Sequence, residues 1–474
     1  MATHGVNVYE QATSVGTPAT AESGIPFVIG RAPIQSAASP AAAGVPVLAT
    51  SWSEAVEKLG YSDDWGNYPL CEFMYSHFKL FDCEPVIFCN MLDTATMKEA
   101  VTAADMSVTD HKIKLPIAAI NNATLAIKAA GGAGDPYVKE TDYSTYYSGE
   151  YLVVEMLSSG GAYSATSLNV SYNKVTPATV TDSIVASGME SIEKCMTMLG
   201  VVPDLICAPG HSSSSVVAAV MATKAAGING MFRAKALIDI SSNESGATTY
   251  TGAITNKASN NFTDENEILC WPMIKLGDYA FHMSTQLAGL MAQVDTNNSG
   301  CPYESPSNKS FQCDSMVLAD GSEVNLTLSQ ANILNGAGIV TALNFMSGWV
   351  CWGNYTACFP ASMDVKDYFI PVSRMFDWAG NTVIRTFWSS LDKPMNRRLI
   401  DTVIDTANIW LNGLVGLGYL LGARVEFKES ENPLTNLMAG MVKIHIYMTP
   451  PSPAQQIDFV LEYDASYVTT ALQG

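Results

Sequence analysis

The chain has 474 residues, of which 48% are hydrophobic and only 15% charged, with a formal net charge of −20. That apolar content is enough for packed cores and excludes a disordered chain. The acidic balance has the wrong sign for free nucleic acid or an anionic membrane surface, and so few charges fit a chain that buries surface against partners.

Length alone suggests about three domains. The opening residues, Met1 to Val6, show no basic region followed by an apolar run, so no secretory signal is expected. The longest apolar stretch, 409–421, is broken by Asn412 and glycines and is too short to span a bilayer.

Residues 1–24 are rich in Thr, Ala, Ser and Gly. Within them Val6, Val8 and Tyr9 suggest a short exposed strand on a flexible arm, with Gly16 and Pro18 in its hinge. Ile25–Gly30 reads as a buried strand. Ser51 or Ser53 caps a helix closed by Gly60, and a helix over 70–81 and a strand over 85–90 follow. Between about 105 and 176, short strand-type runs alternate with turn clusters such as Gly131–Pro136, which suggests an inserted all-β module.

From 182 to 240 the order helix, strand (205–208), helix, strand (ending at Asp239) is a βαβ unit, hence parallel pairing. The polar stretch 243–266 reads as a surface loop, 268–274 as a strand, 278–293 as a helix, and 295–314 as a loop. Residues 329–338 form a turn or short helix before a strand at 340–343. Asp392-Lys393-Pro394 reads as the start of an amphipathic helix of about 20 residues. A strand from Gly422, a short helix at 433–440 and a half-buried strand through Val442, Ile444, Ile446 and Met448 come next. Pro450, Pro451 and Pro453 form a stiff linker, after which Ile457, Phe459, Leu461 and Tyr463 alternate with mostly polar residues. Two strands on arms at opposite ends of one chain invite donation to a neighbouring subunit.

The fold class is therefore mixed α/β: an N-terminal arm (1–24), a core in two parts (25–104 and 179–360), an inserted β-domain (105–178), a C-terminal α+β domain (361–449) and a linker with a donated strand (450–474).

Catalytic constellations do not emerge. Gly210-His211-Ser212-Ser213-Ser214 lacks the final Gly of a nucleophile elbow, and reads instead as a turn whose hydroxyls cap the next helix. The glycines at 131–134 lack the Lys-Ser/Thr of a phosphate loop. Six histidines show no i, i+4 pair for zinc. The ten cysteines contain no C-x-x-C and read as buried thiols, with Cys301 and Cys313, which flank a loop, as the pair to watch. No enzyme, cofactor or metal is expected.

Several segments, in order, resemble the contractile tail sheath proteins of phages and related injection particles. They are Gly5–Glu10 with Gly24–Gly30; Leu205–Gly210 with Phe232–Asp239; Asn332–Thr341; Val350–Thr356; Tyr368–Asp377; and Asn432–Tyr463. The resemblance spans nearly the whole chain. It implies a subunit that polymerises as stacked six-membered rings around an inner tube and contracts on a baseplate signal. The implied partners are other copies of the chain, the tube protein, and baseplate and tail-terminator proteins, without direct nucleic acid or membrane insertion. The implied location is a virion tail or equivalent particle assembled in the bacterial cytoplasm. By the same resemblance the C-terminal domain faces the tube, with Arg424, Lys428, Glu429, Glu431 and Asn436 as candidate contacts. The alternatives are another self-assembling shell or surface-layer protein, or a serine hydrolase using Ser212.

Overall fold

The computed structural model describes residues 18–472, apart from 347. Its centre is an eight-stranded sheet. Five strands with almost wholly apolar, fully buried runs lie parallel: Val86–Asn90, Pro26–Gly30, Leu205–Cys207, Lys235–Asp239 and Glu267–Cys270, joined by Ile339–Asn344. Continuous apolar runs are what a strand covered on both faces requires. Antiparallel strands close the two ends, Pro46–Ala49 on one and Trp349–Trp352 on the other. The Met283–Asn297 helix, buried along almost its full length, packs against this sheet.

Residues 98–175 form two three-stranded antiparallel sheets around their own apolar core of Ile113, Leu115, Leu152, Val154, Leu168 and Val170. The first of these strands, Lys98–Ser107, begins upstream of 105. Glu150, at a hairpin tip of this unit, accepts from the Ser62 hydroxyl at 2.5 Å and the Asp63 amide at 2.8 Å on the core. Gln35 of the core donates to the Ile117 carbonyl at 3.0 Å. The β-unit is thus tied down at two points.

Several local expectations are corrected. Inside 243–266 lies a helix, Tyr250–Ser259, capped by the Thr249 side chain. Of its residues only Ala253 and Lys257 are buried, with Tyr250 and Ile254 packed partly buried beside them, so its apolar face is short and includes a lysine. The segment 268–274 is two strands in two different sheets, Glu267–Cys270 and Met273–Leu276. The helix expected from 278 starts at Met283, because Tyr279–Phe281 pairs with Met273–Leu276. The 182–199 helix is divided by a 3-10 segment over Met189–Lys194. Asp392 sits in a left-handed turn (φ 59°), and the long helix starts later, at Arg397, where the Asn396 side chain accepts from the Leu399 amide at 2.9 Å. A helix of 18 residues, Ile370–Phe387, precedes it.

Gly338 shows what the Asn332–Thr341 segment requires locally. Its φ is +69°, and a Cβ there would lie 2.7 Å from the carbonyl oxygens of Phe359 and Thr356. The Lys257 ammonium donates to the Ala337 and Phe359 carbonyls at 2.6 and 2.8 Å, holding both walls in place. Gly338→Ala combines a left-handed penalty with a clash against rigid backbone, so it is expected to cost roughly 3 kcal/mol or more in urea unfolding. A loss under 1 kcal/mol would mean that these walls yield.

Candidate functional site

The C-terminal segment builds a surface with unused bonding capacity. Strands Gly422–Phe427 and Ile444–Thr449 pair antiparallel, from Gly422 opposite Thr449 to Phe427 opposite Ile444. Among the described residues they form a sheet of two strands. One face lies on the helices Ile370–Phe387 and Arg397–Gly416, with Val425 buried among Trp378, Leu411 and Leu414, and with Ile444 and Met448 beside it.

The Val425 amide donates to the Asn408 side-chain oxygen at 2.9 Å, and the Asn408 amide group returns a bond to the Val425 carbonyl at 3.4 Å. The backbone polar groups of Val425 therefore point away from Ile446, its partner across the ladder. In an antiparallel pair, a residue opposite one of this kind also points outward. So Ile444, Ile446 and Met448 present their N–H and C=O groups to the far edge. No strand among the described residues pairs with that edge. Asn432 confirms the alternation from the other side: its side chain accepts from the Lys443 amide at 2.7 Å and donates to the Lys443 carbonyl at 2.8 Å, extending the inner ladder. Val442, expected in the same strand, lies before its first residue.

The segment expected to be a strand, Ile457 to Tyr463, forms none in the single chain and makes almost no contact. Phe459 is 85% exposed, Leu461 95% and Tyr463 83%. Four large alternating apolar side chains in water are an unmet burial, each about 1.5–3 kcal/mol when covered. A short helix, Ser466–Leu472, follows.

At the other end of the chain, Val6, Val8, Tyr9 and Gly16 lie outside the described residues. The base of that arm is not the loose hinge expected as far as residue 24. The Ala19 and Ala21 amides donate to the hydroxyls of Thr386 and Thr382 at 3.1 and 2.9 Å, and the Trp378 indole donates to the Ala21 carbonyl at 2.9 Å. Residues 19–24 are a fixed root along the Ile370–Phe387 helix; of the hinge residues expected here, only Pro18 is described, just before the first of these bonds.

The residues proposed to face a tube sit on and beside the same two strands. Arg424 bonds Glu426 at 2.7 Å and lies over the Tyr447 ring at 4.0 Å. Lys428 reaches the Tyr447 hydroxyl at 2.5 Å. Glu431 pairs with Lys443 at 2.6 Å and His445 at 2.8 Å, and these partners hold its carboxyl down at about 2. Glu429 is exposed and Asn436 half-buried. Next to Asn436, Leu434 and Met438 project from the short helix, 71% and 79% exposed.

The elbow-like turn is built for packing. Ser212 is buried and donates to Asp239 at 3.0 Å; Asp239 also accepts from the Ser284 amide and hydroxyl. His211 bonds Asp182 at 2.8 Å instead of Ser212. The expected helix-capping role also fails: Ser214 is the N-cap residue and makes no side-chain cap. Among the described residues all ten cysteines are free, and Cys301 lies buried with its sulfur 3.5 Å from that of Met375. No described helix is long and apolar enough to cross a membrane, and no described group of three or more acidic, His or Cys side chains is placed to hold a metal.

No family model matches the chain. It is 25% identical to the tail sheath protein of Burkholderia phage BcepMu, over 99% of this chain and 98% of that protein. It is 24% identical over 60% of its length to a putative prophage major tail sheath protein of Pseudomonas aeruginosa, covering 71% of that protein. Its fold matches the sheath of an extracellular contractile injection system, PVC, in the contracted state, with a TM-score of 0.59 at 14% identity, covering 98% and 99% of the two chains. The contracted helical sheath of the anti-feeding prophage matches with a TM-score of 0.58 at 15% identity, covering 98% and 100%.

Proposed function

We infer that this chain is a subunit of a contractile tail sheath, homologous along its length to phage tail sheath proteins and carrying the fold of injection-system sheaths. The observation that carries the reading is local. One chain offers an unpaired strand edge at Ile444–Thr449 and an unpaired apolar arm at Ile457–Tyr463, and does not join them to each other. Joining the arm of one copy to the edge of the next satisfies both. The hairpin's apolar face would gain a third row of side chains over the helices beneath.

In the assembly we propose, copies stack as six-membered rings around an inner tube, made and assembled in the bacterial cytoplasm. The N-terminal strand at Val6, Val8 and Tyr9 supplies a second arm. Arg424, Lys428, Glu429, Glu431 and Asn436, with the projecting Leu434 and Met438, face the tube. Baseplate and terminator proteins bound the lattice at its ends. Contraction is a change between two packings of the same subunits. Its drive is the set of contacts made only in the contracted one, while the arms keep their backbone bonds. The neighbouring sheaths solved in contracted particles support this two-state picture. A serine hydrolase finds no support in a Ser212 committed to Asp239. The same arms could also tile a shell, which would appear as sheets and not as tubes of one diameter.

Ile446→Pro tests the open edge directly. Proline removes an N–H that points outward, and it is tolerated on an edge strand in that position. The purified variant is expected to lose about 1–2 kcal/mol through the trimmed Ile446 side chain, which is 36% exposed, and to stay folded, yet to form no tubes in electron micrographs. Tubes at the parent yield would show that the edge accepts no strand.

A further inference from the structure

The stiff proline linker between the hairpin and the C-terminal arm lies docked against the core. Pro450 is buried and Pro451 and Pro453 are half-buried, and residues 451–457 form one wall of a groove of ≈ 880 Å³ whose other walls belong to the core. The groove is built by three of the sequence segments singled out above: Asn332 and Asn335 from the first, Trp352 and Tyr355 from the second, Pro371 from the third. Their mutual bonds fix its walls. The Trp352 indole donates to the Asn332 side chain at 2.8 Å, and the Asn335 side chain accepts from the Asn354 amide at 3.1 Å. The Tyr355 ring is stacked on Phe359, centroids 3.9 Å apart, and flanked by Phe369 at 5.5 Å. So held, the Tyr355 hydroxyl donates to the Gln455 side-chain oxygen at 2.5 Å. An aromatic-walled groove receiving a proline-rich, extended segment is a familiar recognition mode, because the segment loses little entropy on docking. From Ala454 to Val468 every residue is exposed, and among the described residues the Gln455 bond is the last that ties this segment to the body.

We propose that this groove is a binding site for the chain's own proline linker, which stays docked in both lattice states, so that the arm pivots after Gln455 and not at Pro450–Pro453. The proposal rests on the sheath reading. It assigns the linker to the rigid body of the subunit: when subunits rotate, Gln456 and the residues just beyond absorb the change in direction. A pivot of one or two residues fixes where each arm leaves its own subunit, and so narrows which neighbouring edge it can reach.

The test places a photoreactive benzophenone-bearing phenylalanine at exposed Ser452 and maps the cross-linked peptides by mass spectrometry. It is done on the free subunit, the extended sheath and the contracted sheath. Mixing heavy- and light-isotope subunits separates links within a chain from links between chains. The expected result is one within-chain link, to 303–309 or 352–359, in all three samples at yields within about twofold, cut severalfold by Tyr355→Phe. A link absent from the free subunit would show that the groove does not bind the linker. A link present in the free subunit but lost in either lattice state would return the hinge to the prolines. A chain that keeps its link and never forms tubes, even with its cognate tube protein, would instead overturn the sheath reading and the pivot with it.

Discussion

Deleting residues 457–474 is expected to leave a subunit as stable as the full chain that forms no tubes. Stability should be unchanged because the deleted side chains touch almost nothing: Ile457, Phe459, Leu461 and Tyr463 are all at least 70% exposed. Assembly should fail because that exposure is what a neighbour would bury. Four such side chains represent about 6–12 kcal/mol of gross burial, from which ordering about seven residues subtracts much. If as little as about 4 kcal/mol survives per arm, its loss raises the critical concentration for polymerisation by roughly a thousandfold. The readouts are urea unfolding for the body, and sedimentation and electron microscopy across a hundredfold range of concentration for the lattice. Ordered tubes from the truncated chain at parent concentrations would remove the arm from the mechanism. The N-terminal counterpart must be cut more carefully. Removing residues 1–17 leaves the root intact, whereas removing 1–24 takes away the bonds of Ala19, Ala21 and Ser23 to the body. It would then confound folding with assembly.

The alternation at Ile457, Phe459, Leu461 and Tyr463 and the run of prolines before it are local signals, legible as an extended apolar segment; the single chain leaves that segment exposed and forms no strand there. The parallel sheet was legible for a related reason: Phe27–Ile29, Leu205–Cys207 and Ala236–Ile238 must be apolar on both faces. What escaped was whatever depends on a distant partner. The Tyr250–Ser259 helix has only a short apolar face, because one of its two buried positions is Lys257, whose ammonium is wanted by two carbonyls about 80 and 100 residues away. The docking of the linker hangs on Tyr355, 100 residues before Gln455. Which edge of the hairpin is open could be read only from Asn408 claiming Val425. In each case one polar side chain decides the geometry, and its partner cannot be named from spacing.

Arg374→Met is expected to produce the largest loss of stability of any single change considered. The guanidinium is 3% exposed and reaches Asp295, itself fully buried, at 2.5 and 3.0 Å, and Asp204 at 2.8 Å. Ser23 donates to the same Asp295 carboxylate at 2.6 Å, and Asp204 accepts from the Ile25 amide at 2.7 Å. One cation thus joins the root of the N-terminal arm, the mouth of a core strand, the buried Met283–Asn297 helix and the C-terminal helix pair. Removing it leaves two carboxylates facing each other without a counter-ion, which costs about 3–5 kcal/mol. The pH dependence identifies the cause. Burial raises the Asp295 carboxyl above its ordinary value and Arg374 pulls it only part of the way back. A carboxyl raised on folding contributes its stability below its unfolded value, near pH 4, and loses it as pH rises through the folded value. Without Arg374 the folded value rises further, so the gap between variant and parent should be smallest near pH 4 and widest near pH 7. A gap of equal size at both would mean lost packing and not an unpaired charge. The double variant Arg374→Met with Asp295→Leu replaces the buried pair by apolar groups and should recover most of the loss at pH 7. If it does, the cluster serves to register the arm root against the core. In the sheath assembly proposed above, a subunit that rotates while its neighbours pull on both arms needs that registration at the point where the pull enters the fold.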